Sequence, residues 1–101
     1  NMQNKKITMD SWVLTSKNQI SCDLAGEAAI LNVKAGMYYG LDAVGARAWS
    51  LIQKPLAVTE IKETLLNEYE VEPERCEQDL LALLNDLAEK GLIEIKIEDR
   101  P

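Results

Sequence analysis

The chain contains no histidine and no phenylalanine, and has two cysteines and three prolines among 101 residues. Without histidine there can be no Ser-His-Asp triad, no Cys-His dyad and no zinc site that uses imidazole. Cys22 and Cys76 stand too far apart for a zinc-knuckle pattern. Both are expected as free, buried thiols in a reducing compartment. No run of about 18 apolar residues occurs, so no helix spans a membrane. The opening, NMQNKKITMDSW, lacks the apolar stretch of a secretory signal. A cytoplasmic protein is the expectation, with Met2 as its natural start. Positive charge is scarce: 11 Lys and Arg against 17 Asp and Glu leave a net charge of −6. That balance disfavours nucleic acid and anionic membrane as partners and mildly favours a basic peptide. "GLDAVGA" is no phosphate loop, because its glycines are misplaced and no Lys-Ser/Thr pair follows. The carboxylates are spread over helix surfaces as solvated faces. This inventory offers no catalytic constellation, no metal set and no cofactor motif, and the chain reads as a non-enzyme.

What is present is an ordinary apolar fraction, 47%, enough for the core of one small domain. Residues 1 to 17 are polar and are expected as a flexible N-terminal arm, in which Trp12 has no core to serve. The folded domain is expected over 18–98, with 99–101 as a tail. "QISCDL" reads as a strand, "AGE" as a turn, and "EAAILNV" as a strand buried on much of both faces. "KAG" turns the chain again, with Gly36 supplying a positive φ, and "MYYGL" is a third strand. Three short strands with tight turns make an antiparallel meander.

Asp42 then stands where an N-cap belongs. The first helix places Val44, Ala48, Leu51 and Ile52 on one face, with Trp49 beside them, and ends by Pro55. The second covers about Val58 to Glu68, with a poorly marked start. The third runs from Pro73 to Lys90; Pro73 suits its first turn and Glu74 the positive end of its dipole. Cys76, Leu80, Leu83, Leu84 and Leu87 form its apolar stripe. Gly91 is a C-cap from which Leu92 folds back, and "LIEIKI" is a last strand. The fold class is therefore α+β: a three-stranded antiparallel meander, then a three-helix winged helix-turn-helix with a short C-terminal strand.

A winged helix invites a DNA-binding reading, which fails on charge. The third helix carries Glu74, Glu77, Asp79, Asp86 and Glu89 against Arg75 and Lys90, and phosphates would repel it. What remains is the third strand. If it forms a sheet edge beside the leucine-striped helix, it can take an extended peptide by strand addition. The backbone groups of Gly36, Met37, Tyr38, Tyr39 and Gly40 would then give register, and Gly40 leaves room for close approach. Leu41 is expected in the core. Tyr39 shares a face with Met37 and Leu41 and reads as core or as groove lining, whereas Tyr38 points the other way. Cys76, Leu80 and Leu83 are the groove candidates on the helix, while Leu84 and Leu87 are plain core. Asp79 reads as a solvated carboxylate or as the partner of a Lys, Arg or backbone N–H of the peptide.

Two stretches carry a resemblance. "MYYGLDAVGARAWSLI" resembles the first signature of the PqqD-like family, and "EYEVEPERCEQDLLALLNDLAEKGLIEI" its second. The resemblance covers about Gln19 to Ile97, with the two stretches in the family's order. Asp42 stands in place of the more usual Asn, which the capping role tolerates. The resemblance implies a recognition element for ribosomally made, modified peptides. Its members bind the leader region of a precursor peptide as an added strand on the third strand, against the third helix, and bring it to modifying enzymes. The "EPERCEQDLLALL" segment resembles most the stand-alone protein of lasso-peptide biosynthesis. That implies a precursor leader with a Tyr-x-x-Pro type motif, a separate cysteine-protease partner and a cyclase. The alternative within the family is the version that serves a radical SAM enzyme in pyrroloquinoline quinone biosynthesis.

Overall fold

The computed structural model describes residues 6–96. The expected meander is present as β2 (Gln19–Leu24), β3 (Glu27–Asn32) and β4 (Met37–Leu41), an antiparallel sheet in the order β2-β3-β4. Its register pairs Ile30 with Tyr39 and Ala28 with Leu41. The β2–β3 turn is built on Ala25 at φ 56 and Gly26 at φ 95. Two consecutive positive φ values match the right-handed twist of a hairpin, and Ala25 takes this conformation without being glycine. β3 is covered on one face only: Ala28 and Ile30 are buried, while Ala29 and Leu31 are half-exposed. The expectation of a strand buried on both faces is thereby corrected. Helices cover the inner face alone, and Ile20 and Tyr38 leave the outer one open.

Three helices follow: α1 (Ala43–Leu51), α2 (Val58–Glu68) and α3 (Pro73–Glu89). The Asp42 carboxylate accepts from the Gly45 N–H at 2.9 Å and caps α1. The start of α2 has no side-chain cap, in keeping with its weak sequence signal. Glu72 caps α3 ahead of Pro73. At the other end, Gly91 at φ 75 lets Leu92 N–H reach back to Leu87 O at 2.9 Å, so that Leu92 is buried. Ala48, Trp49, Ile52, Ile61, Leu65, Leu84 and Leu87 join Ile30 in one core. Val44, expected on the buried face of α1, is exposed instead.

The segment expected to be a loose arm is not loose where it is described. Trp12–Thr15 forms β1, the centre of a second antiparallel sheet between β5 (Leu56–Ala57) and β6 (Ile93–Ile95). Val13 faces the core and is fully buried; Ile7 is buried too, its N–H donating to Asn85 Oδ1 at 2.8 Å. Trp12 is itself partly exposed but pairs with Ala57 and accepts from Lys96 N–H through its carbonyl. The four residues Trp12–Thr15 are too short a run to stand out and show no alternation, and the strand exists because β5 and β6 supply its partners. Residues 1–5 of the expected arm, Ile97 of the expected last strand and the expected tail lie outside the described residues.

Among the described residues, no helix is long and apolar enough to cross a membrane. None of their acidic or cysteine side chains cluster as a metal site. Both cysteines are free; Cys76 is buried as expected, but Cys22 is exposed on β2, where it sits opposite the half-exposed Ala29.

Candidate functional site

β4 is an edge: β3 pairs with it on one side, and among the described residues no strand pairs with it on the other. Along that side runs a groove of about 570 Å³. Tyr39, Gly40 and Leu41 of β4 form one wall, and Cys76, Asp79, Leu80 and Leu83 of α3 form the other. Val44, Gly45 and Ala48 of α1 close its end, joined by Leu65, Tyr69 and Val71 of α2 and the loop beyond. Seven of the ten residues singled out from sequence therefore line one cleft.

The other three do not line it. Tyr38 lies on the opposite face of the sheet, as strand alternation requires, and is 74% exposed. Met37 and Gly36 lie towards the hairpin turn, past the point where Tyr39 bridges to α3. Gly36 has a positive φ of 69 and serves the turn.

Spacing along α3 decides how deep each residue lies. Leu80 and Cys76 are buried and form the floor, whereas Leu83 is half-exposed and stands on the wall. Burial pushes the Cys76 thiol above the ordinary cysteine range, so it is not a poised nucleophile. Asp79 is exposed at the rim and takes Arg75 Nε at 3.2 Å. An i,i+4 pair this exposed holds both groups only loosely, which leaves each free to exchange partners. A Cβ built on Gly40 meets nothing within 4 Å, so the strand edge is open to close approach.

Tyr39 is fixed from below. Its hydroxyl donates to Asp86 Oδ2 at 2.5 Å, and Lys90 Nζ donates to Asp86 Oδ1 at 2.8 Å while standing 5.4 Å from the Tyr39 ring centroid. The bond to the Asp86 carboxylate and partial burial push the Tyr39 hydroxyl up to about 12. The Lys90 and Tyr39 donors hold the Asp86 carboxyl below the usual range.

Sequence reasoning missed the α1 and α2 part of the cleft. Val44 carries the signal in principle, being apolar two residues after a cap, but periodicity alone cannot say which apolar face meets a groove. The Tyr39–Asp86 bond spans 47 positions and leaves no local pattern.

An open sheet edge thus lies beside a largely apolar helix groove, an arrangement with room for an extended chain. The chain belongs to the family described as coenzyme PQQ synthesis protein D (PqqD), which it matches over residues 27–93. It is similar to the structure "TbiB1 in complex with the TbiA(beta) leader peptide", at 35% identity and a TM-score of 0.76, over 84% of this chain and 99% of that one. It also shares the fold of "Lasso peptide synthetase B1 complexed with the leader peptide", at 22% identity and a TM-score of 0.71, over 81% of this chain and 96% of that one. No curated protein matches it.

Proposed function

We propose that this chain is a non-catalytic adaptor that binds the leader region of a ribosomally made precursor peptide, a lasso peptide precursor, and presents it to a separate cysteine protease and a cyclase. The observation that carries this reading is the unpaired β4 edge facing the apolar wall of α3. A leader strand laid along Met37–Leu41 completes the edge with backbone hydrogen bonds, each worth about 1 kcal/mol net. Its alternate side chains enter the groove over Leu80 and Leu83, which gives specificity. Asp79 and Arg75 at the rim meet charged leader residues. The likeness to TbiB1, whose structure holds a leader peptide, supports the same partner class here.

The test is a titration, by fluorescence or calorimetry, with the TbiA(beta) leader peptide and with the leader of any short precursor found encoded beside this chain. Saturable binding supports the reading. No binding of either at ~100 μM, equivalent to only ~5–6 kcal/mol, contradicts it. The family match also admits a peptide chaperone that serves a radical SAM enzyme in pyrroloquinoline quinone biosynthesis. Preferential binding of that pathway's precursor would favour this second reading.

A further inference from the structure

Polar side chains fasten the groove at one end, whereas apolar packing of Leu41 against the core holds the other. Among the described residues, the Tyr39–Asp86 bond is what joins β4 to α3 side chain to side chain. A second tie lies beside it, where Asn32 Nδ2 at the end of β3 donates to Lys90 O at 2.8 Å. Lys90 in turn bonds Asp86 through its ammonium. Tyr39, Asp86, Lys90 and Asn32 thus clasp the β3–β4 hairpin to the C-terminal half of α3. Towards the N-terminal half, where Cys76 and Leu80 line the cleft, no such tie exists among the described residues, and the lining is apolar apart from Arg75 and Asp79 at the rim.

This arrangement has a geometric consequence. A strand added to β4 lies about 4.8 Å from it. How deep its inward side chains can reach then depends on how far β4 stands from α3. Close-packed interiors respond to volume changes as small as a methylene, so a small change in that spacing alters which side chains fit. Asp86 does not line the groove itself; it acts through Tyr39.

Resting on the leader-binding reading above, we propose that Asp86 is a positioning residue: by holding the Tyr39 hydroxyl it fixes the width of the β4–α3 groove and so sets the size of leader side chain that the groove accepts. Tyr39 transmits the position and Lys90 holds the carboxylate in its rotamer.

The experiment measures affinity below the onset of melting for wild type, Tyr39→Phe, Asp86→Ala, Asp86→Asn and the double variant Tyr39→Phe/Asp86→Ala. The probes are the TbiA(beta) leader and the leader of any short precursor found encoded beside this chain, each also with alternate residues changed to smaller and larger ones. Tyr39→Phe and Asp86→Ala should each bind about tenfold more weakly and lose most of the discrimination between small and large side chains. The double variant should be no weaker than the weaker single one, as one shared interaction requires. Asp86→Asn, which keeps an acceptor for the hydroxyl, should restore the discrimination. If Asp86→Ala binds and discriminates like wild type while Tyr39→Phe does not, Tyr39 contacts the peptide by itself and the clasp is overturned. Fully additive losses overturn it as well. A wild-type chain that binds none of the probes instead overturns the leader reading on which the proposal rests.

Discussion

Tyr39 and Asp86 meet across the gap between a sheet edge and a helix, with 2.5 Å between their oxygens. The bond gives both groups a pH signature. Tyr39 is held up at about 12, chiefly by its bond to the Asp86 carboxylate. Its contribution to stability is therefore complete below the ordinary tyrosine value of about 10 and is lost as pH rises towards 12. Asp86 is lowered, first by Lys90 and then by Tyr39. Its contribution is present above the ordinary aspartate value of about 4 and is lost as pH falls through its lowered value. Tyrosinate absorbance should show a step near pH 12 that moves to lower pH in Asp86→Asn. Thermal melts of wild type and Asp86→Asn should converge in strong acid. A step that stays in place in the variant would contradict the pairing.

Gly40 separates the edge from the fold. No atom lies within 4 Å of a Cβ built there, and glycine inside a strand costs roughly 0.5–1 kcal/mol relative to alanine. Gly40→Ala should therefore melt at or slightly above the wild-type temperature. Gly40→Pro removes the N–H of that residue and places a ring on the edge. It should abolish leader binding, with circular dichroism showing that the helices persist. A folded Gly40→Pro chain that binds normally would move the peptide away from β4.

The two groove leucines should behave differently. Leu80 is buried in the core, so Leu80→Ala should cost about 2–5 kcal/mol of stability and say little about binding. Leu83 is only partly buried against that core. Leu83→Asp should fold, yet place a carboxylate where the leader would desolvate it, a penalty on the order of 2 kcal/mol. Affinity should drop by more than tenfold while melting changes little. Parallel melting and titration of this one variant check both halves.

β1 should matter to stability. Val13 is fully buried, between Leu56 on one strand and Ile95 on the other. Val13→Ala removes two methyl-sized groups, at about 0.8 kcal/mol each, and leaves a cavity besides. A loss of about 2 kcal/mol would lower the melting temperature of a domain this size by roughly 10 °C. Scanning calorimetry would show it. An unchanged melting temperature would return this segment to the status of an arm.

Much of this fold is legible in the sequence because its signals are local. The Asp42 cap, Pro73 at the start of α3, Gly91 at its end and the glycine turns each act over a few residues, and each stands where its chemistry indicates. The β4–α3 groove follows from the same signals, since an edge strand and a leucine stripe are both periodic patterns. What escapes is whatever depends on distant partners. Trp12–Thr15 becomes a strand only because Leu56–Ala57 and Ile93–Ile95 lie on either side of it. Cys22 looks like a core thiol in its strand, and which face the helices cover decides otherwise. Val44 lines the groove instead of the core, which its spacing along α1 does not reveal.

Amide hydrogen exchange of β4, with and without bound leader, tests strand addition most directly. Alternate residues of an edge strand direct their N–H groups outward, so leader binding should slow exchange at alternate amides within Met37–Leu41 and leave those already paired with β3 unchanged. A leader that binds tightly while every β4 amide exchanges at its free rate would contradict the account.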